Sequence, residues 1–544
     1  MNGTWLTGAM IAASLTGAAC ATDATADRDY HSQAFEEALD SMAEQPVERD
    51  SLSPLRRGVV EVGDLPDNWK EREPVDLFLT LASCFDLAVG NNRTVLLENL
   101  SVQLAETSVD SAEAYTDLLF TADLNLDRSE SPITNRFPGD TRDQEETTTT
   151  TGGVGLSQSF FTGTTVQVTH DFRRITTNSP FNAFEWSSGL GVSVSQDLLD
   201  GFGINVNRAD LDIARIQLEA TKSDARHSLH EVRFSVAQAY WNLVLALEDL
   251  KVLRAQLDIA DKGLETERRK LAAGTRIKLD VERAEATKTR IDADIIRAEA
   301  LVGARSDALL VQILPEMLYA YKELNGYRIN LMPKDALADE VAAERVPNVN
   351  QQVRLALQDR QDLRAFIERQ ESAIVRVRQR DQQLLPTLRG TLSAGIDGAG
   401  DDYGRSWDNL AEADNRTYGA GLSLEVPIFN TSDRAAARRA ELELQRSEQL
   451  VRQAETQVIS EVLNAIRDLE TSNQAVLTAD KLRDLALAEY ESEKTRRENG
   501  TATSFEVDEA LSKLTEARRD FVREKINQRI ASLELARATG ALGG

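Results

Sequence analysis

The stretch Gly500-Thr501-Ala502-Thr503-Ser504-Phe505-Glu506-Val507-Asp508-Glu509-Ala510 lies between two long helical patterns. It is echoed by Gly274-Thr275-Arg276-Ile277-Lys278-Leu279-Asp280-Val281-Glu282-Arg283-Ala284. Gly, Thr, Val and Ala recur at the same spacing, while Leu279 answers Phe505, Asp280 answers Glu506 and Glu282 answers Asp508. In each copy Gly supplies the left-handed residue that ends a helix, and Thr503 or Ser504 can cap the helix that follows the second. The chain therefore makes the same hairpin of helices twice. A repeat of that kind governs the reading of everything around it.

Outward from the two turns (274–277 and 500–503) the helical patterns are matched in length. The segments 203–273 and 431–499 contain no proline, and each amounts to roughly 105 Å of helix. After the turns come shorter helices, 278–314 and 504–539, of roughly 55 Å each. A further short helix, from about residue 85 to 119 and again from about 351 to 385, adds roughly 50 Å in each half. Two short helices stacked end to end thus equal one long helix. The correspondence continues beyond the turns: Leu87–Arg93 matches Leu355–Gln361, Leu118–Thr121 matches Leu384–Thr387, and Gly191–Val194 matches Gly421–Leu424. These limits define repeat 1 (81–314), a side element (315–350) and repeat 2 (351–540).

Between the helices the period changes from helical to alternating. Phe120–Leu126, Gly153–Phe160, Thr164–Phe172, Trp186–Leu199, 387–394 and 418–429 read as strands. Residues 128–152, with five threonines from Thr147, and residues 173–185 read as loops. All the strands fall at the same end of the two long helices. No apolar run of membrane-helix length follows the N-terminal segment, so any membrane crossing must be made by strands of this length. Four to six strands cannot close a barrel, and an open edge cannot face lipid, so closure requires several copies of the chain.

Composition narrows the function classes. The net charge of −27 over 544 residues argues against a nucleic-acid partner, which would need a basic patch. Four histidines and two cysteines leave little for a transition-metal site or a disulfide framework. No CxxC, HExxH, GxSxG or Walker loop is present. Neither an enzyme nor a bound cofactor is expected. Residues 1–20 read as a signal peptide, small and apolar from Trp5 to Ala19, although without a basic n-region. Leu15-Thr16-Gly17-Ala18-Ala19-Cys20 resembles a lipoprotein cleavage box with a displaced Leu, which makes Cys20 a lipidation candidate; an ordinary signal peptide that happens to contain Cys is the plainer reading. Residues 21–80, acidic and with four prolines, read as an irregular leader, and Cys84 reads as a buried, inert thiol.

The ordered set of landmarks resembles the TolC-like outer-membrane efflux proteins over residues 80–540. Ser195–Ala209 resembles that family's first strand-to-helix junction, with Asp197 in place of the usual proline. Leu424-Glu425-Val426-Pro427-Ile428-Phe429-Asn430 resembles the second, and Asp362-Leu363 with Leu384-Leu385-Pro386-Thr387-Leu388 resembles the helix that climbs to the barrel. The resemblance implies a mainly α fold with membrane β. Long antiparallel coiled-coil hairpins form a trimeric α-helical barrel continuous with a 12-stranded outer-membrane β-barrel, four strands per chain and two structural repeats. The hairpin at 153–172 is extra to the simplest members. The implied role is the exit duct of a tripartite efflux or type I secretion system, partnered by a periplasmic adaptor and an inner-membrane efflux pump or ABC secretion transporter, and surrounded by outer-membrane lipid. The resemblance also implies a periplasmic constriction at Glu506 and Glu509, with Asp280 and Arg283 as first-repeat equivalents, and adaptor docking at Gly274, Thr275, Gly500 and Thr501. Glu506 and Glu509 share a helix face, so three copies would stack two carboxylate rings. The plainer reading is that acid simply favours the first turn of a helix. The rival to a duct is a soluble periplasmic coiled-coil adaptor or scaffold, which would carry one helical hairpin flanked by compact β-domains.

Overall fold

A computed structural model describes residues 75–133, 143–178, 185–275, 277–316, 329–335 and 344–542, all within one unit of the chain. The signal segment, Cys20 and the leader up to residue 74 lie outside the described residues. In chain order the elements are β1 (Val75–Leu79), α1 (Leu81–Asn91), α2 (Arg93–Glu113), β2 (Leu119–Pro132), β3 (Gln144–Phe160), β4 (Thr164–Thr177), β5 (Trp186–Asp197), the single turn α3 (Ile204–Asn207), α4 (Ala209–Ala272), α5 (Lys278–Ile313), β6 (Ile329–Pro333), α6 (Val349–Asp359), α7 (Gln361–Gln382), β7 (Thr387–Gly400), α8 (Tyr403–Glu412), β8 (Asn415–Glu425), α9 (Thr431–Glu498) and α10 (Ser504–Ala538).

The helices form a wall. The first half of α4 meets α2 and α7, through Arg215–Glu113 and Arg369–Asp224; its second half meets α5 and α10, through Arg254–Glu299 and Arg519–Asp249. α9 packs on α6, α7 and α10. The order across the wall is therefore α2 and α5, then α4, then α7 and α10, then α9. Small and branched side chains on the inner stripes make the core, among them Val236, Leu243, Val458, Val462, Ala465 and Leu469. Tyr240 is fully buried, and its hydroxyl donates to Asp335 Oδ2 at 2.7 Å, tying α4 to the segment after β6. Cys84 is buried and unpaired, and burial, with Asp335 nearby, pushes its thiol pKa up to about 12.

The short helices expected as single rods over 85–119 and 351–385 are each broken once, at matching places. Asn92 has φ −66° and ψ 129°, and Arg360 has φ −68° and ψ 123°. Neither glycine nor proline marks the break. Asn92 caps α2 by accepting from Thr94 N and donates to Gln312 O at the end of α5. Arg360, its counterpart, donates to Ala538 O at the end of α10. These bonds join the short helices end to end.

The strands depart further from expectation. One antiparallel sheet of six strands runs β2-β3-β4-β5-β7-β8, and the hairpin at 153–172 lies inside its ladder. Among the described residues the sheet has six strands, where four per chain were expected. The loop expected over 128–152 is strand at both ends, since β2 reaches Pro132 and β3 starts at Gln144; likewise β4 runs on to Thr177. The five threonines belong to β3, where β-branched residues are favoured. β1, in the segment read as an irregular leader, and β6, in the side element, pair in parallel. No helix among the described residues is long and apolar enough to cross a membrane.

Candidate functional site

The two helical turns are built alike. Gly274 (φ 72°) and Gly500 (φ 79°) each take the left-handed conformation. Thr275 N donates to Lys270 O at 3.0 Å, and Thr501 N to Arg496 O at 2.8 Å. Each Thr hydroxyl bonds the same carbonyl, so the last turn of both α4 and α9 is closed by Gly-Thr. The helices that follow differ. Thr503 caps α10: Glu506 N donates to its Oγ1 at 3.3 Å, and the Glu506 carboxylate receives Thr503 N at 2.6 Å. α5 starts from Ile277, which has no capping side chain.

This places the expected site residues. Glu506 is exposed, and its pKa is lowered by the hydrogen bonds from Thr503. Glu509 is also exposed and pairs with Lys513 at 3.4 Å. Next to them in sequence, Val507 and Ala510 turn inward with Leu511 and Leu514, so the two glutamates lie on the solvent-exposed side of α10 in the single chain. Arg283 is exposed and Asp280 half-buried in α5. Sequence reading missed a neighbouring pair. Glu267 on α4, almost wholly buried, bonds Arg497 on α9, and these two residues lie beside Asp508. Burial raises the Asp508 pKa, with Arg497 opposing and Glu267 adding to the rise. The pair links the two tips across 230 residues of sequence, a separation no local pattern reports.

At the other end the sheet has two unlike faces. Ladder partners share a face. Phe120, Leu124, Leu156, Val168, Val192, Leu392, Leu422 and Leu424 fall on one face, and all are exposed in the single chain. The other face carries Ser, Thr, Gly and acid. One row across it reads Asp123-Gly153-Asp171-Gly189-Asp397-Asn415. The aspartates lean over the glycines: a Cβ on Gly153 would lie 2.7 Å from Asp171 Oδ1, and one on Gly189 3.1 Å from Asp397 Oδ1. Apolar-out and polar-in alternation of this kind is the pattern of an outer-membrane barrel wall.

Aromatics mark the ends of the apolar band. Phe161 stacks on Tyr115 at the helix end, while Phe172, Trp186 and Tyr403 cluster at the far end. Between the rows of Thr164 and Phe172 the strand is about 27 Å long, which at a tilt of about 40° spans about 21 Å of height, close to the ~25 Å of an outer-membrane apolar band. The outermost strands, β2 and β8, are exposed along their whole length. An apolar face with two unpaired edges is incomplete in one chain.

The chain matches the family model described as outer membrane efflux protein over residues 174–311 and 353–541. Solved structures with a similar fold include the Campylobacter jejuni CmeC outer membrane channel (15% identity, TM-score 0.60, covering 85% of each chain) and the open state of the Neisseria gonorrhoeae MtrE outer membrane channel (16%, TM-score 0.61, 85% of this chain and 89% of that one). The Vibrio cholerae outer membrane protein VceC is also similar (16%, TM-score 0.58, 85% and 96%). A comparison with curated proteins returned no match. The chain therefore belongs to the outer membrane efflux protein family and is an outer-membrane channel protein with a large periplasmic helical part.

Proposed function

We propose that three copies of this chain form the passive exit duct of a tripartite efflux or type I secretion system. The observation that carries the reading is the agreement of two edges. The helical wall runs from α2 and α5 to α9, and the sheet runs from β2 to β8 in the same sense. Each wall ends in uncovered apolar side chains: Leu97, Leu100 and Leu104 on α2, and Leu442, Leu482 and Leu485 on α9. A head-to-tail ring covers both kinds of edge in one operation. The energy comes from an inner-membrane efflux pump or ABC secretion transporter, reached through a periplasmic adaptor that docks on the turns at Gly274, Thr275, Gly500 and Thr501. The duct itself supplies no chemistry.

Glu506 and Glu509 form the constriction at the tip, with Asp280 and Arg283 in the neighbouring hairpin. Rings of like charge select cations and resist close approach. Two experiments test the reading. Membrane fractionation with an unheated gel is expected to give an outer-membrane trimer; a monomer confined to the soluble fraction would leave the adaptor or scaffold reading in its place. Replacing Glu506 and Glu509 together by Gln keeps the capping hydrogen bonds while removing the charge. The expected result is a changed cation block in single-channel recordings, and unchanged block places the carboxylates outside the conduction path.

A further inference from the structure

We infer that the membrane part of this duct is an eighteen-stranded barrel rather than a twelve-stranded one, closed by β8 of each copy against β2 of the next. The inference rests on the trimeric duct and adds the contribution of β3 and β4.

The second half of the chain joins its two strands directly, β7 to β8. The first half has β2 and β5 in the matching places, with β3 and β4 set between them in the ladder. The inserted strands keep the alternation of the sheet. Val154, Leu156, Val166 and Val168 extend the apolar face, while Gly153 and Asp171 add one more Gly–Asp step to the polar row. Their turn is seated at the junction to the helices. Asp197 N donates to Gly163 O, Gly203 N donates to Thr162 O, and a Cβ on Gly163 (φ 82°) would lie 2.3 Å from Gly201 O. The family match begins at residue 174, after nearly all of this hairpin.

Closure permits six strands, and width favours them. Six is even, so β8 runs antiparallel to the β2 of an identical neighbour, and the ladder can close without a parallel seam. Side-by-side helices at about 9.5 Å give a four-helix wall about 38 Å wide. Strands about 4.8 Å apart and tilted by about 40° give about 38 Å for six, but about 25 Å for four. The sheet thus matches the wall that feeds it. Eighteen strands close at a backbone diameter of about 36 Å, against about 24 Å for twelve, and the added lumen wall is polar.

The test is electron cryo-microscopy of the full-length oligomer in nanodiscs, combined with cysteine pairs in the membrane sheet. Six strands per chain in a closed barrel, with β8 beside a neighbour's β2, is the expected result. Four strands per chain in the wall, with the hairpin outside it, overturns the inference while leaving the duct intact. A monomer overturns both. In the cysteine series, the pairs Asn125→Cys with Thr151→Cys and Gln167→Cys with Ser193→Cys are expected to form disulfides, as is the folding control Ser187→Cys with Ala399→Cys. The pair Thr121→Cys with Gly191→Cys, which would be neighbours only if β2 lay against β5, is expected to stay reduced. Oxidation of that last pair while the control forms contradicts the six-stranded wall.

Discussion

The two halves of the chain share their helices and differ in their strands. Both have a broken short helix, a long helix, a Gly-Thr turn and a second short helix, yet the first half carries four strands of the membrane sheet and the second carries two. An antiparallel ladder explains why the difference is a pair. Inserting one strand would reverse β5, and α4 would then start from the wrong end of the sheet. Inserting two restores the direction of β5 and leaves every later side chain on its original face. The helical wall has no such freedom, because an added helix would have to interdigitate with α4 and α7 along its whole length. Growth is therefore cheapest in the sheet.

The breaks in the short helices sharpen the comparison, because matching backbones are held by different chemistry. Asn92 holds the first with neutral hydrogen bonds. Arg360, buried, holds the second with Asp362 at 2.6 Å and Glu461 at 2.5 Å. Replacing Arg360 by Met leaves two carboxylates without their partner and is expected to cost about 3–5 kcal/mol. Asn92→Ala, which removes a cap, is expected to cost about 1 kcal/mol. Denaturant midpoints followed by circular dichroism would measure both, and equal losses would erase the distinction.

The two breaks also separate by pH. Burial raises the Asp362 and Glu461 pKa values, but hydrogen bonds from Arg360 outweigh it and leave both lowered. A carboxylate with a lowered folded pKa contributes stability that is present above its unfolded value and lost as pH falls through the folded one. Wild-type stability is thus expected to fall below the ordinary carboxylate range with a component that Arg360→Met lacks and Asn92→Ala retains. An acid limb of the same size in both variants would deny the Arg360 cluster that role.

The tips come next in expected effect. Glu267→Gln removes the charge facing Arg497 in a largely buried contact between α4 and α9. The expected loss is about 2 kcal/mol, concentrated at the tips, and hydrogen exchange should accelerate at the ends of both long helices. If the pair latches the closed duct, single-channel conductance should rise as well. Unchanged exchange at the end of α9 would show that the hairpins are held together elsewhere.

What the chain disclosed in advance follows from the range of each signal. The long helices were readable because neither proline nor an apolar gap interrupts them, and the turns because Gly274 and Gly500 stand where a left-handed residue is needed. Thr503 with Glu506 is a local capping signature and was readable as such. The outer ends of β2, β3 and β4 were not, because beyond the apolar band both faces are mostly polar and alternation fades along runs such as Asp127–Ser131 and Gln144–Thr151. The helix breaks escaped because Asn92 and Arg360 break the backbone through contacts made 220 and 178 residues away. The parallel pairing of β1 with β6 and the bond between Glu267 and Arg497 are long-range in the same sense.

The smallest expected effect lies in the one place where the two tips use the same backbone with different side chains. Ile277 (φ −94°, ψ 156°) and Thr503 (φ −84°, ψ 161°) both hold the extended geometry of an N-cap, but only Thr503 offers an acceptor. Ile277 is exposed, so its side chain contributes little packing that a smaller polar residue would forfeit. Asp280 stands at the position of Glu506, ready to complete the shorter half of the same motif. Ile277→Thr is therefore expected to stabilise the start of α5 by up to about 1 kcal/mol, and Thr503→Val to destabilise α10 by a similar amount. Hydrogen exchange of the first-turn amides in each helix would read the two changes separately. A gain at α5 that matches the loss at α10 makes the cap alone the difference between the tips. No gain would mean that the first tip is held by contacts with the neighbouring copy, which a single side-chain cap does not alter.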